Sequence, residues 1–189
     1  MAVLSTLPLP LLPLQILYIN LVTDVFPAFA LAMGEGEPDI LRRPPRDPRE
    51  PILGRRQWTV IVLQSLALTA GTFGALAASR LGLDLDARST TTVTFLTLGF
   101  AQIWHVFNMR DPRSDALRNE VTRNPWVWGT VLLCAVLLAA PPYLPPMAEV
   151  MELAAPSQAM WTIILGMSVG PLIATQAVTL AAAAARSRR

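Results

Sequence analysis

Residues 20–31 read NLVTDVFPAFAL and place a carboxylate and a proline inside an apolar stretch that runs from about residue 12 to residue 33. Asp24 carries the only charged side chain before Glu35. A stretch of this length can cross a bilayer, which takes roughly 20 apolar residues in a helix. A charged carboxylate near the bilayer centre costs roughly 2.5–3.5 kcal/mol on insertion scales, so such a residue is usually functional.

The rest of the 189-residue chain repeats this apolar pattern, with 53% hydrophobic and 15% charged residues. Four further blocks contain no Asp, Glu, Lys or Arg, namely 57–79, 89–109, 124–148 and 153–185. This composition is typical of a membrane protein rather than of a soluble domain. We therefore predict an all-α fold, a polytopic membrane bundle that forms one domain over residues 1–189, with five transmembrane helices at about 12–33, 57–79, 89–109, 125–144 and 157–185.

The basic residues predict the orientation of the bundle. The chain has no lysine, and thirteen of its fifteen arginines fall within 42–56, 110–123 and 186–189. By the positive-inside rule these three segments are cytoplasmic, so the N-terminus lies outside and the C-terminus inside. We expect an integral, multi-pass protein of the cell membrane. The net charge of +2 then reflects topology within a lipid bilayer, and no nucleic-acid partner is expected.

Three polar side chains of the first span lie on one helical face, because Asn20, Thr23 and Asp24 stand at positions i, i+3 and i+4. Pro27 has no N–H to donate to the carbonyl of Thr23, four residues earlier, so that oxygen is freed beside the carboxylate. Oxygen donors of this kind suit a hard cation such as Ca²⁺. The alternative is a buried aspartate that is hydrogen-bonded within a helix bundle.

The third span carries polar side chains in its second half. Gln102 lies 13 residues into this span and Asp24 lies 12 residues into the first, so the two side chains can meet at one depth. His105, one turn deeper, is either a proton acceptor or ligand, or a hydrogen-bonded packing residue. Cys134 lies inside an apolar block and is interpreted as a small packing residue. As the only cysteine it cannot form an intrachain disulfide.

The stretch PLQILYINLVTDVFPAFAL at 13–31, followed by EPDILRRPPRDPREPIL at 37–53, closely resembles the C-terminal membrane region of type II P-type cation-transporting ATPases. The resemblance is to the calcium-pump branch. It implies that the five spans are the sixth to tenth helices of a pump. It also implies that Asn20, Thr23 and Asp24 bind the cation from an unwound sixth helix. Gln102 stands where two-ion calcium pumps have a glutamate ligand.

The parts of such a pump that use ATP have no counterpart in this chain. The family phosphorylates the Asp of a DKTGT motif, which a chain without lysine cannot contain, and the actuator motif TGES is also missing. We therefore expect no catalytic residue, no enzyme activity of the isolated chain and no cofactor on it. Ca²⁺ would be the transported ion, and Mg-ATP would act only through the missing phosphorylation, nucleotide-binding and actuator domains.

Two functions remain open for a chain of this kind. In the first, it is a membrane component of a cation pump, and its partner is a chain that carries the first five helices and the cytoplasmic domains. In the second, it is a non-transporting structural or regulatory helix bundle, a truncated pump remnant. We expect a C-terminal piece of a pump, which is a separately encoded segment, a truncated product or a fragment from a misplaced gene start.

The predicted topology can be tested with single-cysteine variants in a background that lacks Cys134. A cysteine near residue 145 is expected to react with a membrane-impermeant maleimide only from outside, and one near residue 187 only from the cytoplasmic side. Labelling of the residue near 145 from the cytoplasmic side alone would contradict the orientation.

Overall fold

The computed structural model of the protein describes residues 11–34, 53–109 and 119–187. Residues 1–10, most of the proline-rich motif at 37–53 and most of the arginines that predict the orientation lie outside these residues. The orientation therefore stays a prediction. The described residues contain the candidate site and a helical segment at each of the five predicted spans.

The described residues form helices and no strands, which confirms the all-α class. The α-helices are α1 Pro13–Asn20, α2 Phe26–Ala32, α3 Arg55–Ala77, α4 Ala87–His105, α5 Glu120–Arg123, α6 Pro125–Ala139, α7 Pro145–Val150 and α8 Gln158–Ser187. Leu21–Val25 and Ala78–Gly82 are π-helical turns, and Val106–Asn108 and Pro141–Tyr143 are 3₁₀ turns. The first predicted span is therefore α1, a π-helical turn and α2 in succession.

Four helical runs in the described part of the chain are long and apolar enough to cross a membrane. They are Pro13–Ala32, Gln57–Gly82, Pro125–Tyr143 and Gln158–Ala177. This finding supports a membrane bundle. The third predicted span forms a helix of sufficient length, α4, but its sequence is richer in polar residues. The number of five crossings stays a prediction.

Helix α4 is the centre of the bundle, and it packs against α3, α6 and α8. Eleven of its nineteen residues are buried, and they include four of its five threonines. Buried hydroxyls can be satisfied inside the helix when they donate to a carbonyl four residues earlier. Thr92 and Thr94 do so, with oxygens 2.8 Å from the Arg88 carbonyl and 2.9 Å from the Thr90 carbonyl, respectively. A threonine-rich helix is therefore compatible with the buried centre.

The segment between α6 and α8 joins the beginnings of α1 and α4. Gln15 Nε2 donates to the Met151 carbonyl at 2.8 Å, and the Arg88 guanidinium donates to the Leu153 carbonyl at 3.0 Å. The Ala154 amide donates to the Thr92 hydroxyl at 2.8 Å. Because both helices begin at this end of the bundle, they run in the same direction. This geometry brings residues at similar distances from the two helix starts to similar depths.

Helices α3 and α8 approach each other closely at Gly71. A methyl group at Gly71 would lie 2.8 Å from the Met167 carbonyl oxygen and 2.8 Å from Pro171 Cγ, closer than non-bonded atoms normally come. The absence of a side chain at Gly71 therefore permits this contact. Small residues allow such close packing between membrane helices.

We expect Gly71→Ala to destabilise the bundle, because the added methyl meets backbone of α8 that cannot move aside without shifting the helix. The matched control is Gly166→Ala, where a methyl would meet nothing within 4 Å. The gain in helix propensity is the same for both variants. Unfolding in detergent should therefore show Gly71→Ala less stable than Gly166→Ala by about 1–3 kcal/mol, the usual cost of overpacking. Equal stability would contradict the close contact.

Candidate cation site

The π-helical turn Leu21–Val25 contains Asp24 and lies two residues before Pro27. In an i→i+5 pattern the amide of residue 27 would donate to the carbonyl of residue 22, and proline has no such amide. The Val22 carbonyl receives a different donor, the thiol of Cys134, whose sulfur lies 3.2 Å away. In the π register the Val22 carbonyl therefore lacks that main-chain donor. In an α register the Thr23 carbonyl would lack it instead. A freed Thr23 carbonyl stays a prediction.

Thr23 and Gln102 are in direct contact between the first span and α4. The Thr23 hydroxyl oxygen lies 2.8 Å from Gln102 Oε1 and 3.0 Å from the Ile19 carbonyl. A hydroxyl has one proton and can donate to only one of these oxygens at a time. With the Gln102 amide turned by half a rotation, Nε2 donates to the hydroxyl while the hydroxyl donates to Ile19. Both arrangements join the two helices through these side chains.

Asp24 follows Thr23 in sequence, and its Oδ1 lies 3.5 Å from the Thr23 hydroxyl. Thr23 is buried, whereas Asp24 and Asn20 are exposed at the surface of the bundle. The large apolar neighbours Leu17 and Leu21 are also exposed, at 66% and 57%. The structure thus places Thr23 and Gln102 together with Asp24 beside them. Asn20 lies one turn before Asp24 on the open side of the helix.

Gln102 also lines a groove of about 380 Å³ between α3 and α4. Hydroxyl groups of both helices line it, together with apolar side chains. The polar members are Ser65, Thr69, Thr72, Thr94 and Gln102. The Gln102 side chain therefore stands between the groove and Thr23.

His105 takes part in a separate polar group at the end of α4. Its Nδ1 lies 3.3 Å from Asn108 Nδ2, and the Asn108 Oδ1 accepts a hydrogen bond of 2.8 Å from Gln176 of α8. When the Asn108 amide donates, the imidazole proton is on Nε2. These contacts support the interpretation of His105 as a hydrogen-bonded packing residue.

The sequence interpretation missed the contact that Cys134 makes with Val22. A thiol in an apolar block gives no sign that it will meet an unpaired carbonyl. Asn124 caps the start of α6, because its Oδ1 accepts a hydrogen bond of 3.0 Å from the Trp126 amide. Its Nδ2 also donates to the Ala30 carbonyl at 2.9 Å, a contact between distant segments that the sequence does not indicate.

The donor set of the candidate site is one carboxylate with neutral oxygens. Among the residues that the structure describes, no group of three His, Cys, Asp or Glu side chains could hold a metal ion. A cation at Asp24 would thus be coordinated by amide, hydroxyl and carbonyl oxygens in addition to the carboxylate. This chemistry suits hard cations and disfavours soft metals.

Comparison with known proteins shows the family of the chain. Residues 8–181 match the family model described as "Cation transporting ATPase, C-terminus". This chain belongs to that family. Its members are the C-terminal membrane regions of ATP-driven cation pumps, so the resemblance seen in the 13–53 stretch is confirmed.

Individual relatives match over most of the chain. It is 35% identical to the calcium-transporting ATPase of Bacillus subtilis over 170 residues, which are 90% of the chain and 19% of that protein. It is 29% identical over 161 residues to calcium-transporting ATPase 1 of Lactococcus lactis, covering 85% of the chain and 18% of that protein. A probable cation-transporting ATPase F of Mycobacterium bovis is 30% identical over 177 residues, which are 91% of the chain and 19% of the relative. The chain therefore spans about a fifth of the length of the curated relatives it matches.

We expect Thr23→Val to destabilise the chain, because it leaves the Gln102 amide without its partner in a partly buried position. Loss of one partner of a buried hydrogen bond costs about 1–3 kcal/mol. The matched control is Thr59→Val, since Thr59 donates only to a carbonyl of its own helix, that of Arg55, and is exposed. Thermal unfolding in detergent is the measurement. Equal effects of the two substitutions would contradict a stabilising Thr23–Gln102 contact.

Proposed function

We propose that this chain is the membrane component of a cation-translocating P-type ATPase and that it supplies part of the intramembrane cation site. The residues that contribute are Asn20, Thr23, Asp24 and Gln102. The remaining ligands, and the domains that hydrolyse ATP, belong to a partner that carries the first five helices of the pump. Mg-ATP acts only through that partner.

The observation that carries this proposal is the contact between Thr23 and Gln102 beside Asp24. It brings a hydroxyl and an amide from two helices next to a carboxylate at a π-helical turn. Interruptions of regular α-helix at membrane depth are found where the backbone is buried in protein or lines a cavity, and transporters use them to bind ions. Ca²⁺ takes six to eight oxygen ligands, whereas the side chains of these four residues have five oxygens in all. The site is therefore proposed as shared.

The exposure of Asp24 supports the need for a partner. Its carboxylate lies on a face of the first span that also exposes Leu17 and Leu21. A charged carboxylate among apolar side chains that faced hydrocarbon would cost roughly 2.5–3.5 kcal/mol. Further pump helices that cover this face would replace lipid with polar ligands. A cation bound between the two parts would then neutralise the charge.

Calcium is the cation we propose for this site. The relatives from Bacillus subtilis and Lactococcus lactis carry calcium in their names, whereas that from Mycobacterium bovis is named only for cations. A carboxylate, amide and hydroxyl oxygens match the hard-ligand preference of Ca²⁺. We also propose that the N-terminus faces outside and the C-terminus the cytoplasm of the cell membrane.

In the complex with the missing helices and domains, we expect Asp24→Asn to abolish Ca²⁺ binding. The change keeps the size of the side chain and removes the charge, in a site where water screens charge weakly. Gln102→Ala is expected to weaken binding and His105→Ala to have little effect. Isothermal titration with Ca²⁺ measures all three.

The matched control for this experiment is Asp84→Asn, which removes the same charge from an exposed position in the connection between α3 and α4. It should leave Ca²⁺ affinity unchanged. Unchanged affinity of a folded Asp24→Asn complex would favour the alternative, a non-transporting structural or regulatory bundle in which Asp24 affects only stability.

A further inference from the structure

Helix α6 and its N-cap residue Asn124 are joined to the first span by three hydrogen bonds that involve side chains, and these bonds lie along both sides of the candidate site. Tyr18 Oη donates to the Leu137 carbonyl at 2.7 Å. Further along, the thiol of Cys134 donates to the Val22 carbonyl at 3.2 Å, and Asn124 Nδ2 donates to the Ala30 carbonyl at 2.9 Å. These contacts hold α6 antiparallel to the first span over nearly its whole length.

The middle contact, from Cys134, meets the carbonyl that loses its main-chain donor in the π register. In the π register the Val22 carbonyl has no main-chain donor, because its donor would be the missing amide of Pro27. In an α register it would accept from the amide of Phe26, and the Thr23 carbonyl would instead be unpaired. Val22 is 2% exposed and Cys134 is fully buried, so water cannot reach the Val22 carbonyl oxygen to donate a hydrogen bond. A donor at position 134 therefore stabilises the π register relative to the α register.

The register decides where the candidate ligands point. A π-helical turn contains one residue more than an α turn, and each helical residue turns the chain by about 100°. Conversion of the turn to an α register would change the orientation of the residues before it relative to those after it. Thr23 and Asp24 lie within the turn, and the Thr23 hydroxyl contacts Gln102 while the turn is in the π register.

We propose that Cys134 is a positioning residue for the candidate cation site and that its thiol holds the Leu21–Val25 turn in the π register. Cys134 touches no cation. It acts through the Val22 carbonyl and thereby sets the Thr23–Gln102 contact beside Asp24. Tyr18 and Asn124 fix α6 on either side, so that the thiol stays within reach of the turn. This proposal rests on the proposed function for its effect on ion binding, whereas its effect on the turn is independent of that function.

The experiment compares Cys134→Ser with Cys134→Ala, which remove nearly the same volume and differ only in the donor. The full chain is placed in lipid nanodiscs, with Val22, Thr23 and Gln102 isotopically labelled for NMR. Serine should keep the wild-type Val22 carbonyl shift and the Thr23–Gln102 cross-peak. Alanine should reduce the population with that cross-peak about two- to tenfold, the effect expected of one weak hydrogen bond.

Ca²⁺ titration of the assembled pump is the second measurement. The dissociation constant should rise by a similar factor in Cys134→Ala and return to the wild-type value in Cys134→Ser. The control for a simple loss of packing is Val131→Ala, one turn earlier on α6, which should lower stability and leave both the cross-peak and the affinity unchanged. A purely structural role of Cys134 would make Cys134→Ala resemble Val131→Ala.

Two results would overturn the positioning role. One is a wild-type cross-peak and Val22 shift in Cys134→Ala. The other is a loss of the cross-peak in Cys134→Ser as large as that in Cys134→Ala. Failure of the unmodified complex to bind Ca²⁺ would instead contradict the proposed function, and the NMR comparison in the chain alone would still decide the role of Cys134.

Discussion

The first span must satisfy its backbone hydrogen bonds in apolar surroundings, and Pro27 removes one of the donors. In hydrocarbon no water is present to donate a hydrogen bond to an unpaired carbonyl, so every such group needs a partner within the protein. The span meets this requirement with a π-helical turn before the proline and a thiol from α6 on the Val22 carbonyl. The position of Thr23 and Asp24 follows from that solution, and the candidate site depends on it.

Helix α4 contributes Gln102 to the candidate site, and it is polar where a membrane helix is usually apolar. Two of its buried threonines, Thr92 and Thr94, donate to carbonyls of their own helix, which helps the helix to lie at the centre of the bundle. A central position lets it contact the first span and at the same time α3, α6 and α8. Gln102 can therefore reach Thr23 on one side and line the groove against α3 on the other. The same polarity explains why this helix lacks the hydropathy of the four runs that could span a membrane by composition.

The sequence predicts the helices well and the site in part, for physical reasons that differ between residues. Blocks without charges mark the helices because apolar length is what a bilayer demands. The N-cap at Asn124 is a local interaction, so the neighbouring sequence alone indicates it. That Gln102 and the first span meet at one depth follows from helical rise along two helices that run in the same direction. The π register and the partner of the Val22 carbonyl depend on which helix packs against the turn, which no local pattern encodes. The exposure of Asn20 and Asp24 likewise depends on the tertiary arrangement.

The contrast between Thr23 and Asp24 bears on how such a site could be shared between two parts of a pump. Thr23 is hydrogen-bonded inside the bundle with Gln102, so this chain alone brings these two groups of the candidate site together. Asp24 is adjacent to it and faces outward with Asn20 among apolar neighbours, and the Thr23 hydroxyl lies 3.5 Å from its Oδ1. A structural aspartate would gain stability by turning toward the donors of its own bundle. An aspartate that binds a cation is needed on the side where the remaining ligands approach. Its charge makes the isolated face unfavourable in lipid, and the same charge makes the pairing of the carboxylate with a cation strong. The same carboxylate thus disfavours the uncovered bundle and favours the assembled one.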